Sequence, residues 1–340
     1  MRILPGVESM NVYVGLDVGA RSVAMAWRQK GRTAGTWDIE QTAKGHKAAV
    51  KKLLSLKPVC VVMEATGIYY LDLAIALSNA GLPVSVINPK SFHNFAKLTL
   101  TNSKTDGIDA QLLAEFGERM TPRLWVAPTA DHLALRAMGR HLNRLTGHRT
   151  RAKNELHALQ ATGTTVPLLI DDEEDAIAFF DKRIERIRKA AREQITQCPE
   201  LRLQFNSMLA APGVGEISAI AILAELVTLP KTLKSAQVSR HAGLDVRLTQ
   251  SGSSVDRPGR MSKAGNGYLR AATFMPSLSA IRCDRYVKAF YEGLVARGKK
   301  KMQAIGAVMR KYLTGLWACM RAGENFDTAK LFSEKHFVKA

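Results

Sequence analysis

An α/β domain with a mixed sheet, then a long helical segment, then a mainly helical C-terminal region is the fold class this sequence predicts. Three observations carry it. Residues 12–87 alternate short apolar runs with helix-length stretches. Residues 135–191 carry apolar side chains at heptad spacing instead. The last third returns to helical periodicity around one Gly- and Ser-rich stretch.

Taken in order, strand-like runs lie at 12–17, 22–28 and 34–40, the first two separated by the turn Gly19-Ala-Arg-Ser22. A helix at 43–55, a strand at 59–64, a helix at 69–80, a strand at 83–87 ending in Asn88-Pro89 and a further helix complete the series. Three consecutive strands before any helix is the order of an RNase H-like domain. A doubly wound nucleotide-binding fold interposes a helix earlier.

Four acids stand out against this frame. Asp17 ends the apolar run from Val12, and Glu64 ends the run from Val59. Asp106 and Asp109 open the helical stretch 106–116, three apart and therefore on one helical face. A carboxylate at the end of a buried strand is costly unless compensated, and Mg²⁺ is the natural compensator. Two strand ends facing one helical pair make an all-oxygen site for two ions. Singly, each acid has a plainer explanation, as a turn cap or a favourable charge at a helix start. The constellation is more specific than its members.

In the middle, Leu135, Met138, Leu142, Leu145, Ala152, Leu156 and Leu159 follow one seam, with Arg149 interrupting it. After a break at Gly163 to Pro167, a second seam runs through Ile177, Phe180, Ile184, Ile187 and Ala191. The pair predicts an antiparallel helical hairpin or a coiled-coil surface for another protomer. The acidic cluster Asp171 to Asp175 opens the second helix, where it suits the dipole. Arg136, Arg140 and Arg144 recur every fourth residue beside the first seam, as a phosphate-tracking stripe or as a solvated face.

The last third begins with Pro212-Gly-Val-Gly215 between two helices. Such a turn can offer the backbone N–H groups of Gly213 and Gly215 to a phosphate, or simply connect the helices. Residues 244–265 read as a Gly- and Ser-rich loop carrying Arg247, Arg257, Arg260 and Lys263. Helices at 266–281 and 300–321 follow, the second led by Lys299, Lys300 and Lys301.

Charge narrows the partner. The net charge is +19, and it is uneven: residues 1–125 hold 15 basic against 10 acidic side chains, 126–200 hold 12 against 11, and 201–340 hold 22 against 9. A polyanion gripped mainly by the C-terminal part is the expectation. Cys60, Cys198, Cys283 and Cys319 lack paired spacing, which speaks against zinc or a redox motif and for thiols in a reducing cytoplasm. No apolar run nears the roughly 20 residues that span a bilayer, and the first residues lack a signal peptide's apolar core. No membrane is expected, and a cytoplasmic, nucleoid-associated location is.

Motifs then accumulate in register: Gly15-Leu-Asp-Val, Met63-Glu-Ala-Thr-Gly-x-Tyr69, Val86-Ile-Asn-Pro89, Lys104-Thr-Asp-x-x-Asp-Ala110, Pro212-Gly-x-Gly215, Ala242-Gly-Leu244, Ser251-Gly-Ser-Ser254, Arg260-Met-Ser-Lys-Ala-Gly265 and Met309-Arg-Lys311. Over roughly 12–321 the chain resembles the DEDD transposases of the "one-ten" insertion sequences, with their eleven-eleven subgroup and the related Piv DNA invertases. The resemblance implies a RuvC-like catalytic domain at 10–125, a helical coiled-coil connector at 126–200, a transposase domain at 201–325 and a tail at 326–340. It puts the acidic tetrad on Asp17, Glu64, Asp106 and Asp109 and the nucleophilic serine on Ser251. It further implies a structured non-coding bridge RNA that pairs with donor and target DNA. A tetramer in which Ser251 of one protomer meets the tetrad of another is also implied.

From the residues alone, Ser251 is a flexible-loop serine with Ser253 and Ser254 as rivals, and Asp256 is its nearest acid. Arg257, Arg260 and Lys263 are placed to clamp a phosphate. Three other readings stay open. A nuclease of the Holliday-junction resolvase kind needs only the tetrad and water. An actin-like sugar kinase also opens with Gly-Leu-Asp-Val-Gly, but the basic C-terminal part and the lack of phosphate-binding glycine loops oppose it. A nucleic-acid-binding protein without catalysis leaves a complete acidic tetrad without purpose.

Overall fold

Alternation of side chains decides the first sheet. Val12, Val14 and Leu16 of β1 (Val12–Val18) are buried on one face, with Val23 and Met25 of β2 (Ser22–Gln29) and Ile39 of β3 (Arg32–Glu40). Helices α1 (Ala43–Leu56) and α2 (Tyr70–Asn79) cover that face through Ala49, Leu53, Leu73, Ala74 and Leu77. Val61 and Met63 of β4 (Cys60–Glu64) and Val84 of β5 (Val84–Ile87) join the same core. The opposite face carries Cys60, Val62 and Ile87 against Phe92 and Phe95 of α3 (Pro89–Leu98) and Leu112, Leu113 and Phe116 of α4 (Asp106–Met120). Three layers result, α/β/α, because β1, β2, β4 and β5 bury residues on both sides, whereas the edge strand β3 is largely exposed.

Strand order is β3-β2-β1-β4-β5. β1, β2 and β3 pair antiparallel, while β1–β4 and β4–β5 are parallel. This is the RNase H-like order that three leading strands predict. The computed structural model describes residues 11–99, 105–251 and 255–332. It divides into Met1–Ala127 and Pro128–Ala340.

The second unit opens with α5 (Ala130–Gln160) and α6 (Pro167–Gln197), two 31-residue helices. They run antiparallel: Arg149 Nη1 lies 2.7 Å from Asp181 Oδ1, and Gln194 Nε2 donates to the Asp131 carbonyl at 3.2 Å. Leu135, Leu142, Leu145 and Ala152 face Ile184 and Ala191, so the two seams close on each other within one chain. Arg149, which breaks the seam, is taken up by Asp181. α6 begins at Pro167, and its first turn holds no acid. The cluster Asp171 to Asp175 therefore falls a turn later than expected, because proline suits the first helical position.

The hairpin's base shares its core with the rest of the unit. α8 (Glu216–Leu226) is buried on nearly every side, surrounded by α5, α7 (Pro199–Leu209), α10 (Gly267–Cys283) and α12 (Lys301–Ala322). Gly139 lets α5 approach closely: a Cβ there would stand 2.6 Å from Ala224 Cβ. α9 (Ser235–His241), α11 (Arg285–Ala296) and α13 (Thr328–Phe332) complete the helices. Tyr312 donates to the Pro212 carbonyl, and Trp317 Nε1 donates to the Leu233 carbonyl at 3.0 Å. Among the described residues no helix is long and apolar enough to cross a membrane.

One expectation is overturned. Residues 244–265 are not an irregular loop; they contain the antiparallel pair β6 (Val246–Ser251) and β7 (Val255–Met261). The alternation Val246-Arg-Leu-Thr outweighs the Gly and Ser content of the segment.

Candidate active site

Asp17 and Glu64 owe their positions to the pleat. Tyr13, Gly15 and Asp17 alternate onto the α4 face of β1, as Cys60, Val62 and Glu64 do on β4. The strands pair up to Leu16↔Met63. Asp17 and Glu64 therefore follow side by side at the carboxyl ends of two parallel neighbours. In open α/β sheets, ligands gather beyond such ends where strand order reverses.

α4 brings the other two acids to the same end. A Cβ on Gly117 would meet Val62 at 2.9 Å and Tyr13 at 3.8 Å, whereas one on Gly15 would stand 2.0 Å from the Ala110 carbonyl oxygen and 2.4 Å from the Ala114 nitrogen. The helix thus runs antiparallel to β1, and its first turn, with Asp106 and Asp109, arrives at the carboxyl ends. Only glycine at position 15 permits this backbone-to-backbone approach. Thr105 caps the helix, accepting from Ile108 N–H at 3.3 Å. At its far end Arg28 of β2 lies 3.0 Å from Glu118 and 3.5 Å from Glu115, side chains largely withdrawn from water. Burial in the layer beneath α4 also pushes the Cys60 thiol up to about 11.

Glu64 is half-buried and accepts from the Thr66 hydroxyl. Between β2, β3 and the start of α4 an open groove of about 630 Å³ is lined by Ala24, Thr36, Asp38, Thr105, Asp106 and Gln111. Asp38 is a carboxylate that reading the sequence missed. Register sets Asp17, Ala24 and Asp38 in one row across β1, β2 and β3, and strict alternation along β3 was the signal that could have found it.

Four carboxylates on one end of the sheet, with hydroxyls and an amide around them, are a hard, oxygen-only donor set that suits Mg²⁺ or Mn²⁺. Among the described residues, no three acidic, His or Cys side chains are drawn to a shared ligating distance.

In the second unit Ser251 ends β6, paired with Val255, and Arg257 pairs with Thr249. Ser253 and Ser254 lie outside the described residues. Arg260 is exposed on β7, and Lys263 holds a left-handed conformation (φ 51°) where the chain leaves the hairpin. Gly213 (φ 79°) is pressed on α10, a Cβ there meeting the Pro276 carbonyl at 2.7 Å, while Gly215 borders open space. Lys299 and Lys300 are exposed before α12.

The arginine stripe does not act as a unit. Arg140 is committed to Glu225, a carboxylate 2% exposed: its Nε and Nη2 donate to Oε1 and Oε2 at 2.6 and 2.9 Å. Asn266 donates to the same carboxylate and caps α10. Arg140 therefore serves the core of this unit and leaves the set expected to meet phosphates. Arg136 is half-buried, and Arg144 is exposed with Nη2 3.2 Å from His141 Nδ1.

Comparison with known proteins agrees with this geometry. A family model described as a transposase, of the DEDD and IS110 type, matches residues 14–162. A second, described as the transposase IS116/IS110/IS902 family, matches residues 206–292. The pilin gene-inverting protein of Moraxella lacunata is 29% identical over 273 residues, covering 78% of this chain and 81% of its own. The transposase for insertion sequence element IS1111A of Coxiella burnetii is 26% identical over 322 residues, covering 82% of each. The solved Thermus thermophilus RuvC structure aligns with 33% of this chain and 98% of its own at 15% identity and a TM-score of 0.27.

An RNase H-like sheet with acids on the ends of β1 and β4 and on the first turn of α4 defines a DEDD-type DNA recombinase or transposase. The two matched segments together span more than half of the sequence, and the chain belongs to the IS110 family of transposases.

Proposed function

We propose that this chain is an RNA-guided recombinase of a bacterial insertion sequence that cuts and rejoins donor and target DNA through a phosphoserine at Ser251. The observation that carries the reading is the convergence of Asp17 and Glu64 with the first turn of α4. Relatives named for gene inversion and for transposition support DNA as the substrate on both sides of the exchange.

Rejoining DNA without an external energy source requires that bond energy be kept. Attack of the Ser251 hydroxyl on phosphorus forms a P–O bond as the bond to the 3′ oxygen breaks, and the serine proton ends on the released 3′ hydroxyl. A 3′ hydroxyl from the other duplex reverses the step. Asp17, Glu64, Asp106 and Asp109 would hold Mg²⁺, which supplies neutralisation of charge on the phosphoryl and leaving oxygens. Arg257 and Lys263 clamp the phosphate, and Arg260, Lys299 and Lys300 extend the basic surface.

The test is a covalent one. Wild-type protein with its RNA, DNA and Mg²⁺ is expected to give a protein–DNA adduct on denaturing gels, and Ser251→Ala none. Cleavage without any adduct would instead assign the resolvase-like reaction with water. An adduct lost in Ser253→Ala or Ser254→Ala but kept in Ser251→Ala would move the nucleophile.

A further inference from the structure

β6 and β7 set two arginines directly opposite each other. Arg247 is in register with Arg260, so both side chains leave the same face, and both are exposed. Like charges at opposed positions of an antiparallel pair, with Cβ atoms about 5 Å apart, repel. Among the residues whose side chains are described, neither arginine makes an ion pair. Asp245, two residues away, accepts from Ser262 and lies 3.9 Å from Arg240 instead.

The other face differs. Val246 and Leu248 lie over Gly259, where a Cβ would stand 2.8 Å from Val246 Cγ1 and 3.1 Å from Leu248 Cδ2. Met261, in register with Val246, reaches Gly306 of α12. Met261 thus reaches α12, Val246 and Leu248 on the same face are exposed, and the arginine pair lies on the opposite face.

We propose that this hairpin is a duplex-DNA backbone clamp in which Arg247 and Arg260 hold one phosphate between their guanidinium groups. Paired planar donors match a phosphate's oxygens, and an anion between them removes the repulsion. Placing that phosphate relative to the scissile one rests on the reading of Ser251 as nucleophile. Four residues of strand separate Arg247 from Ser251, about 13 Å, or roughly four base-pair rises measured along the duplex axis. A two-stranded ribbon fits the major groove of B-DNA but not the deep, narrow one of A-form RNA. Residues 246–261 hold no aromatic side chain on which unpaired bases would stack.

The test measures binding, not chemistry, in full-length Ser251→Ala protein, so it stands whether or not Ser251 is the nucleophile. Anisotropy is followed with a labelled DNA duplex, an RNA duplex and a DNA single strand across a salt series. Adding Arg247→Gln and Arg260→Gln is expected to weaken DNA-duplex binding roughly tenfold and to lower the salt slope by about 1, with the other two ligands unaffected. Arg247→Lys with Arg260→Lys keeps the charge and is expected to keep the slope, with circular dichroism melting checking the fold of both. An unchanged slope for the DNA duplex, or an equal or larger loss on RNA or single strand, overturns the clamp. Loss of the adduct in Ser251→Ala together with an unchanged slope would sink the clamp and leave the recombinase reading intact.

Discussion

Gly15 and Asp17 sit two residues apart on one face of β1 and do opposite things there. The first has no side chain, so α4 can lie on the strand; the second projects where that helix begins. Catalytic geometry at this site is backbone packing first and side-chain chemistry second. Asp17→Asn is expected to reduce DNA cleavage at least a thousandfold, the scale of loss for one group acting only in the transition state. The melting temperature should not fall, since removing one of several like charges relieves repulsion. DNA binding should be kept. Chelation of divalent metal by EDTA is expected to copy the variant, and wild-type cleavage surviving in EDTA would remove the metal from the reaction.

Elements here work through their ends and crossings. The α5–α6 hairpin is held by its seams along most of its length, but its base is fixed by one polar knot. Glu225 of α8 takes Arg140 from α5 and Asn266 from the cap of α10. That knot joins the helical hairpin to the helix that follows β7. Replacing Glu225 with Ala leaves a guanidinium and an amide without their acceptor. The cost is about 3 kcal/mol, the low end for a broken buried pair because Arg140 is one-third exposed. For a unit of this size that is a fall of roughly 6–12 °C in melting temperature. Calorimetry that found no change would show that the knot contributes little.

At the scale of the whole molecule, charge is divided as the work is. The acidic tetrad lies in the part with a small basic excess, and residues 201–340 carry 22 basic against 9 acidic side chains. The proposed strand exchange between two duplexes needs four cuts, so several serines would act in one assembly. A tetramer on its DNA is therefore expected by light scattering, and a stable complex of one protomer per pair of DNA ends would contradict it. Specificity is a separate matter. Charge alone grips any nucleic acid and reads no sequence. Under the proposed function, a guide RNA that pairs with the target would supply what the protein surface does not. Changing only the RNA's pairing loop is expected to redirect insertion, whereas sequence-specific recombination by RNA-free protein would exclude the guide.

The order of the first unit was legible in the sequence because its information is local. Val12, Val14 and Leu16 alternate within one strand, and Thr105 announces the helix that carries Asp106 and Asp109. The positions of Asp17, Glu64, Asp106 and Asp109 were legible for the same reason, each acid standing at one end of a periodic run. Asp38 was not, because it joins the site only through register with Ala24 and Asp17 across two strand pairings. Nor could the stripe Arg136, Arg140 and Arg144 be sorted from spacing, since the acceptor that claims Arg140 lies 85 residues away. The β6–β7 pair was hidden by the glycine and serines of the segment, which dominate its composition while the alternation of the strands decides conformation. Sequence by itself determined which elements form and which acids end them, because periodicity and capping act within a few residues. The tertiary structure alone decided which charges are committed and which remain for a nucleic acid, because a buried carboxylate selects its partner by proximity in space.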